Sequence, residues 1–265
     1  MSERKERDIP AHAFYDTDFV RRPEARMLRI MAEYLYPETI LMDEGVTDTV
    51  TFFGSARVYP PPELQQQDDL SGKDYGKNPG LKKFMRYYNE ALELSRGITE
   101  WSLKNYERIG RRVHVITGGG PGIMEAANRG ADLAGGHSIG LNIQLPHEQS
   151  ANPYISPHLN FNFHYFFMRK YWFLYYARAL VVFPGGFGTL DELFETLTLQ
   201  QTGTIKNRVP VFLYGAEFWD RVVDFNFLAE SGLISNADLN LFRKVSGVDQ
   251  ALQQIIKCLE DHFFK

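Results

Sequence analysis

Val182-Phe183-Pro184-Gly185-Gly186-Phe187-Gly188-Thr189-Leu190-Asp191-Glu192 decides the fold. An apolar run, Ala179 to Phe183, reads as a short buried strand. Three glycines and a proline form a turn after it. Leu190, Leu193, Phe194 and Leu197 then recur with helical spacing over Thr189 to Gln201. Strand, glycine turn and helix N-terminus in direct succession form a place for an anion. Glycines let backbone amides approach, and the first helical turn adds unpaired N–H groups and the positive end of the dipole. Thr189 caps the helix or donates its hydroxyl to a phosphate.

The arrangement occurs twice. Val113 to Thr117 reads as a strand, Gly118-Gly119-Gly120-Pro121-Gly122 follows, and Ile123 to Ala134 is a helix of small residues suited to close packing. No Lys-Ser/Thr follows Gly122, so this is not a P-loop. The spacing does not fit the dinucleotide fingerprint either. Glu125, in the first turn of that helix, either offsets the dipole or contacts a ribose.

Outward from these loops the pattern continues. Thr49 to Phe53 reads as the first strand, ending in Gly54-Ser55-Ala56-Arg57. Further strands are expected at Ser138 to Ile143, Leu159 to Phe163 and Val209 to Tyr214. Helices are expected at Leu81 to Gly110 with a break at Gly97, Phe166 to Ala177, Glu217 to Ala229 and Asp249 to Phe263. Gln144 to Pro157 reads as a loop. Short apolar strands alternating with helices predict an α/β chain: a Rossmann-like, doubly wound parallel sheet with helices on both faces. Its ligands sit beyond the carboxyl ends of the strands, where all three loops converge. Residues 1–48 read as an N-terminal helical extension, its helix stopped by Pro37. Residues 49–265 read as one Rossmann-like domain, with 57–80 a flexible insertion.

The bulk numbers bound the function. The chain has 265 residues and 44% hydrophobic content, enough for a large core, and its net charge of −4 excludes a broad nucleic-acid footprint. Cys258 stands alone, so no internal disulfide forms, and a reducing, cytoplasmic setting is expected. The N-terminus is charged and lacks a secretory apolar stretch. Arg169, Lys170 and Arg178 interrupt the apolar stretch Phe161 to Phe183, which excludes a membrane span. His158 and His164 have no metal spacing, and neither metal nor cofactor is expected.

Two charged residues stand out. Arg169 sits in an otherwise apolar helix that reads as buried on every side. It stays charged, so it reaches either a carboxylate or a polar cleft receiving an anion. Lys170 is expected at solvent or a partner chain. Glu192 follows Thr189 by three positions, so it is either part of a capping box or faces the phosphate loop. Asp191 points about 100° away from it.

Gly118-Gly119-Gly120-Pro121-Gly122-Ile123-Met124-Glu125-Ala126-Ala127-Asn128 and Pro184 to Glu192 resemble the two signatures of the LONELY GUY family, long labelled "lysine decarboxylase-like". Met168-Arg169-Lys170 is similar to its third element, and Thr51 to Arg57 to its first strand and turn. The resemblance covers roughly 49–230; the parts outside it and the 57–80 insertion are similar to longer bacterial relatives. It implies phosphoribohydrolase activity on a cytokinin riboside 5′-monophosphate, or a general AMP nucleosidase, and a homodimer with shared sites. By position it implies Arg169 and Glu192 as the catalytic pair. It places Gly185, Gly186, Gly188 and Thr189 in the phosphate loop, and Gly54, Ser55, Gly119, Gly120 and Glu125 at the nucleotide. Two rivals stand beside it. A nucleotide or molybdenum-cofactor carrier would need the loops without the Arg169–Glu192 pair. A pyridoxal-phosphate decarboxylase would need a Schiff-base lysine, for which only Lys170 is near a motif.

Overall fold

A computed structural model describes residues 12–61, 79–143, 151–205 and 208–264. Seven strands form one parallel sheet: β1 (Asp48–Phe53), β2 (Val113–Thr117), β3 (Ser138–Ile143), β4 (Asn160–Phe163), β5 (Ala177–Val182), β6 (Val211–Tyr214) and β7 (Phe242–Val245). Their order is β4-β3-β2-β1-β5-β6-β7. Val50 on β1 registers with Val115 on one side and Ala179 on the other. The chain therefore winds outward both ways from β1 and β5. The reversal opens a crevice beyond their carboxyl ends, where ligands of such sheets bind.

Helices cover both faces, as the near-continuous apolar strands require. On one side Val50, Phe52, Val115 and Val181 meet α3 (Arg86–Lys104), α5 (Ile123–Leu133) and α10 (Val248–Phe264). On the other Ile116, Leu141, Leu180 and Leu213 meet α6 (Phe166–Tyr175), α7 (Phe187–Gln201) and α8 (Ala216–Val222). The small residues of α5 bring it close to α3: the Ser95 hydroxyl reaches the Ala127 carbonyl at 2.5 Å, and a Cβ on Gly130 would overlap the Leu92 carbonyl.

The N-terminal extension departs from expectation. Short α1 (Thr17–Arg21) precedes α2 (Arg26–Asp43), which runs straight through Pro37. Proline removes one helical donor, which leaves the carbonyl of Glu33 without its i+4 partner. The Trp172 indole N–H donates to that carbonyl at 3.2 Å. The Glu33 carboxylate in turn accepts from the backbone N–H of His164 (2.7 Å) and Tyr165 (3.1 Å). One residue of the extension thus fixes the start of α6, and Leu41 of α2 joins the core.

Other differences are local. Gly97 does not break its helix; it lets Leu252 of α10 pack against α3, and the break falls at Asn105, before α4 (Tyr106–Ile109). The helix expected over Glu217 to Ala229 divides at Asp224, whose carboxylate caps α9 (Phe225–Glu230) by accepting from the Phe227 N–H at 2.9 Å. Strand β7, Phe-Arg-Lys-Val, is too short and charged to read as a strand, and it sits at an edge of the sheet. Most of the insertion expected over 57–80 lies outside the described residues. Helix α6 is not buried all round: Met168, Trp172 and Phe173 face the core, while Phe166, Phe167 and Tyr175 are exposed. Among the described residues no helix is long and apolar enough to cross a membrane.

Candidate functional site

Three loops meet at the crevice and are tied to each other through Ser55. Its N–H donates to the Pro184 carbonyl at 3.1 Å, and its carbonyl accepts from the Ile123 N–H at 3.1 Å. The β1, β2 and β5 turns are thereby locked around one cavity of about 620 Å³. Gly54, Ser55, Gly118, Gly120, Arg169, Gly186, Gly188, Thr189 and Glu192 line it. At Gly122, φ is +75° and the space for a Cβ is taken by the Ser55 carbonyl, so only glycine lets the β1 and β2 turns approach this closely.

The α7 helix starts earlier than its sequence suggests. Gly186 is the N-cap and makes no side-chain cap. Phe187, Gly188 and Thr189 occupy the first turn, so their N–H groups have no partner within the helix. Thr189 is therefore not the cap, Glu192 lies in the second turn, and no capping box forms. Thr189 is 7% exposed and lines the cavity, and its hydroxyl makes no hydrogen bond to the described residues. A Cβ on Gly185 would overlap that hydroxyl, so Gly185 serves Thr189 and does not line the cavity. Gly186 and Gly188 have open space where a side chain would stand. Packing within the chain does not demand glycine at either, whereas a ligand against the helix end would.

Arg169 resolves its two readings in favour of the cleft. Its Nε donates to the Leu141 carbonyl at 2.7 Å and its guanidinium to the Gly118 carbonyl at 3.3 Å. It lies 5.1 Å from the centre of the Phe173 ring, and no carboxylate is within ion-pair distance among the described residues. Burial pushes its pKa down, and the charge of Glu192 pushes it up. It stays cationic. The group is held by neutral acceptors, with its charge left for the cavity.

Glu192 is 9% exposed and accepts no hydrogen bond at its carboxylate from the described residues. Burial raises its pKa to about 7, against the opposing pull of Lys170 and Arg169 and with support from Glu195 and Asp191. Lys170 is not at solvent. Its ammonium lies 2.7 Å from Asp191 and 3.1 Å from Glu195, joining α6 to α7. Burial lowers its pKa, but those two hydrogen bonds and the charge of Glu192 outweigh it, and it titrates above its ordinary value. A lysine held as a paired cation is unsuited to attack a carbonyl.

Glu125 is placed elsewhere. It is 4% exposed, accepts from the Tyr88 hydroxyl at 2.8 Å, and is absent from the cavity lining. Gly119 is likewise turned away, against Asn142. Sequence reasoning missed what holds the β2 turn. Asn152 donates to the carbonyls of Gly119 and Gly120 (3.1 Å each), and Asn128 accepts from the Thr117 hydroxyl at 2.6 Å. Nothing local marks Asn152, since the carbonyls it holds are more than thirty positions upstream. Met124, Phe166 and Arg57 also line the cavity without having been singled out.

The family described as "Possible lysine decarboxylase" matches residues 124–255, about half the chain, including Arg169 and the 184–192 loop. Cytokinin riboside 5′-monophosphate phosphoribohydrolase LOG from Oryza sativa subsp. japonica is 30% identical over 149 residues, 55% of each chain. LOG7 from Arabidopsis thaliana, which bears the same activity name, is 27% identical over 169 residues, 60% of this chain and 68% of that one. The chain belongs to the LONELY GUY family. The match spans little more than half the length of the rice LONELY GUY protein. Among solved structures, the molybdenum cofactor binding protein from Rippkaea orientalis superposes with a TM-score of 0.48 at 17% identity, covering 80% of this chain and 98% of its own. The molybdenum cofactor carrier protein from Chlamydomonas reinhardtii does so with a TM-score of 0.47 at 18% identity, covering 80% and 98%. In this LONELY GUY chain the signature residues divide into two groups: Arg169, Thr189 and Glu192 line the cleft, while Glu125 and Asn128 hold the scaffold.

Proposed function

We propose that the protein hydrolyses the N-glycosidic bond of a nucleoside 5′-monophosphate, AMP or an N6-modified AMP such as a cytokinin riboside monophosphate. The products are free base and ribose 5-phosphate. The observation that carries the reading is the pairing of a buried carboxylate, Glu192, with the open first turn of the same helix, in one cavity with Arg169.

The phosphate sits on the N–H groups of Phe187 to Thr189 and the Thr189 hydroxyl, which anchors the ribose. Cleavage builds positive charge on the ribose. Glu192, ionised, stabilises that charge or draws a proton from the attacking water, and its pKa of about 7 suits a base at neutral pH. Arg169 cannot act as a proton donor. It orients the nucleotide and balances charge. Remote binding at the phosphate thus supports chemistry at the ribose.

Residues 49–265 carry this machinery, and the helices before them brace α6. A homodimer with shared sites fits the exposed apolar face of α2 and α6. Met27, Met31, Leu35, Phe167 and Tyr175 are each at least half exposed or close to it, and Phe187 at the cavity mouth is 92% exposed. Sedimentation of the wild type beside Met31→Asp tests this; a wild-type monomer rejects it.

Release of free base from a panel of nucleoside 5′-monophosphates, with the matching nucleosides as controls, tests the activity. Turnover of monophosphates alone is expected. Tight binding without release of any base rejects hydrolysis and leaves a carrier.

A further inference from the structure

A second cavity, of about 390 Å³, opens at the opposite end of the sheet from the cleft. Arg111 and Arg112 lead into β2, His114 is its second residue, and His137 stands just before β3; all four line the cavity. Three residues of β2 separate His114 from Gly118 at the cleft, four steps or roughly 13 Å along an extended strand.

The charges there are only partly neutralised. Arg111 lies 3.2 Å from the buried Asp48 carboxylate, which Arg178 also engages. The Arg112 guanidinium stands over the Tyr106 ring at 5.2 Å and has no carboxylate at ion-pair distance among the described residues. Glu44, at the rim, faces His158 at 3.3 Å. His114 is 6% exposed, and its Nδ1 finds no hydrogen-bond partner among the described residues. Buried polar atoms are nearly always satisfied, so an unpartnered imidazole nitrogen on a residue that lines a cavity together with two arginines is a feature that needs an occupant. Burial, reinforced by the charges of His137 and Arg112, holds the His114 pKa down at about 4, which keeps the ring neutral and its nitrogens available as donor and acceptor.

We propose that this cavity is a second ligand site, independent of the Arg169–Glu192 cleft, for a small molecule bearing a phosphate group. Arg111 and Arg112 present forked donors that suit a tetrahedral oxyanion, and His114 and His137 flank it. The volume falls near the lower end of the range of small-molecule sites, roughly 300–1,000 Å³. It exceeds what a bare ion fills and accommodates a phosphorylated body of sugar size.

The test is a titration of the intact protein, labelled at its histidine rings, observed by NMR. Inorganic phosphate, ribose 5-phosphate and unphosphorylated ribose are the probes. Saturable shifts at His114 and His137 are expected with both phosphates and not with ribose. They should persist in Thr189→Ala, where the cleft is impaired, and weaken about tenfold in Arg112→Gln. Arg112 is exposed and outside every helix and strand, so that variant keeps the fold. Tighter binding of ribose 5-phosphate than of inorganic phosphate assigns the site to a phosphorylated metabolite and upholds it, whereas equal affinity makes it a site for the free ion only and overturns it. No saturable shift, shifts undiminished in Arg112→Gln, or shifts lost in Thr189→Ala overturn it.

Discussion

Arg169 donates to the carbonyl of Gly118, and a Cβ at position 118 would stand where its guanidinium lies. The first glycine of the β2 turn therefore serves a side chain 51 positions later. Gly118→Ala should displace Arg169 and lower kcat/KM for a nucleoside monophosphate by about 100-fold, since small misplacements at a reacting centre have effects of that size. Circular dichroism should stay unchanged. Wild-type activity in a folded Gly118→Ala would remove Arg169 from the chemistry.

Glu192 trades stability for a high pKa. Its carboxyl titrates at about 7 in the fold against an ordinary value of 4.5. Between these two values the native state binds more protons than the unfolded one, so this group makes stability fall as pH rises through that window. Glu192→Gln removes the penalty. It should abolish turnover and raise stability by about 1–3 kcal/mol at pH 8, with the gain vanishing below pH 5. Urea unfolding at the two pH values checks both signs.

Lys170 is the nearest lever on that carboxylate, pulling its pKa down from one helix away. If ionised Glu192 is the working form, kcat/KM rises with pH through about 7. Lys170→Met should move the rise to higher pH while leaving its plateau within about tenfold of wild type. A pH profile that keeps its midpoint in the variant would argue against the coupling.

Gly188 has room for a methyl group, in the space that the proposed phosphate would take. Gly188→Ala should fold normally, with stability within about 0.5 kcal/mol of wild type. Its KM for the monophosphate should rise about tenfold or more. An unchanged KM would place the phosphate elsewhere.

The Glu33 carbonyl left open by Pro37 depends on the Trp172 indole. Trp172→Phe should destabilise the fold by about 2–4 kcal/mol, through the lost donor and the lost volume. Pro37→Ala restores a helical N–H to that carbonyl. It should recover about 1 kcal/mol in the Trp172→Phe background and less in the wild type. Chemical denaturation of the four proteins closes the cycle.

How much of this was legible follows from the range of each interaction. The strands at 113–117 and 138–143 and the glycine turns after β2 and β5 could be read locally, because burial on both faces writes a continuous apolar run and a tight turn requires glycine. The parallel sheet and the convergence of its loops at the carboxyl ends followed from the alternation of strand and helix, whereas the order of the strands was fixed only by their pairing in the fold. Other features had no local mark. Pro37 read as a helix stop because the donor that replaces its missing bond comes from residue 172. Thr189 read as a cap because the helix start depends on Gly186 and the turn packed around it.

The amino-acid sequence by itself determined most of the strands and helices and which loops carry the glycines, because those choices rest on periodicity and on backbone sterics within a few residues. Only the tertiary structure decided where the charged side chains of those segments turn. Glu125 went to Tyr88, Lys170 to Asp191 and Glu195, and Arg169 to the carbonyls of Leu141 and Gly118. A buried polar group goes to the partner that offsets its desolvation, and those partners are brought near only when the sheet closes.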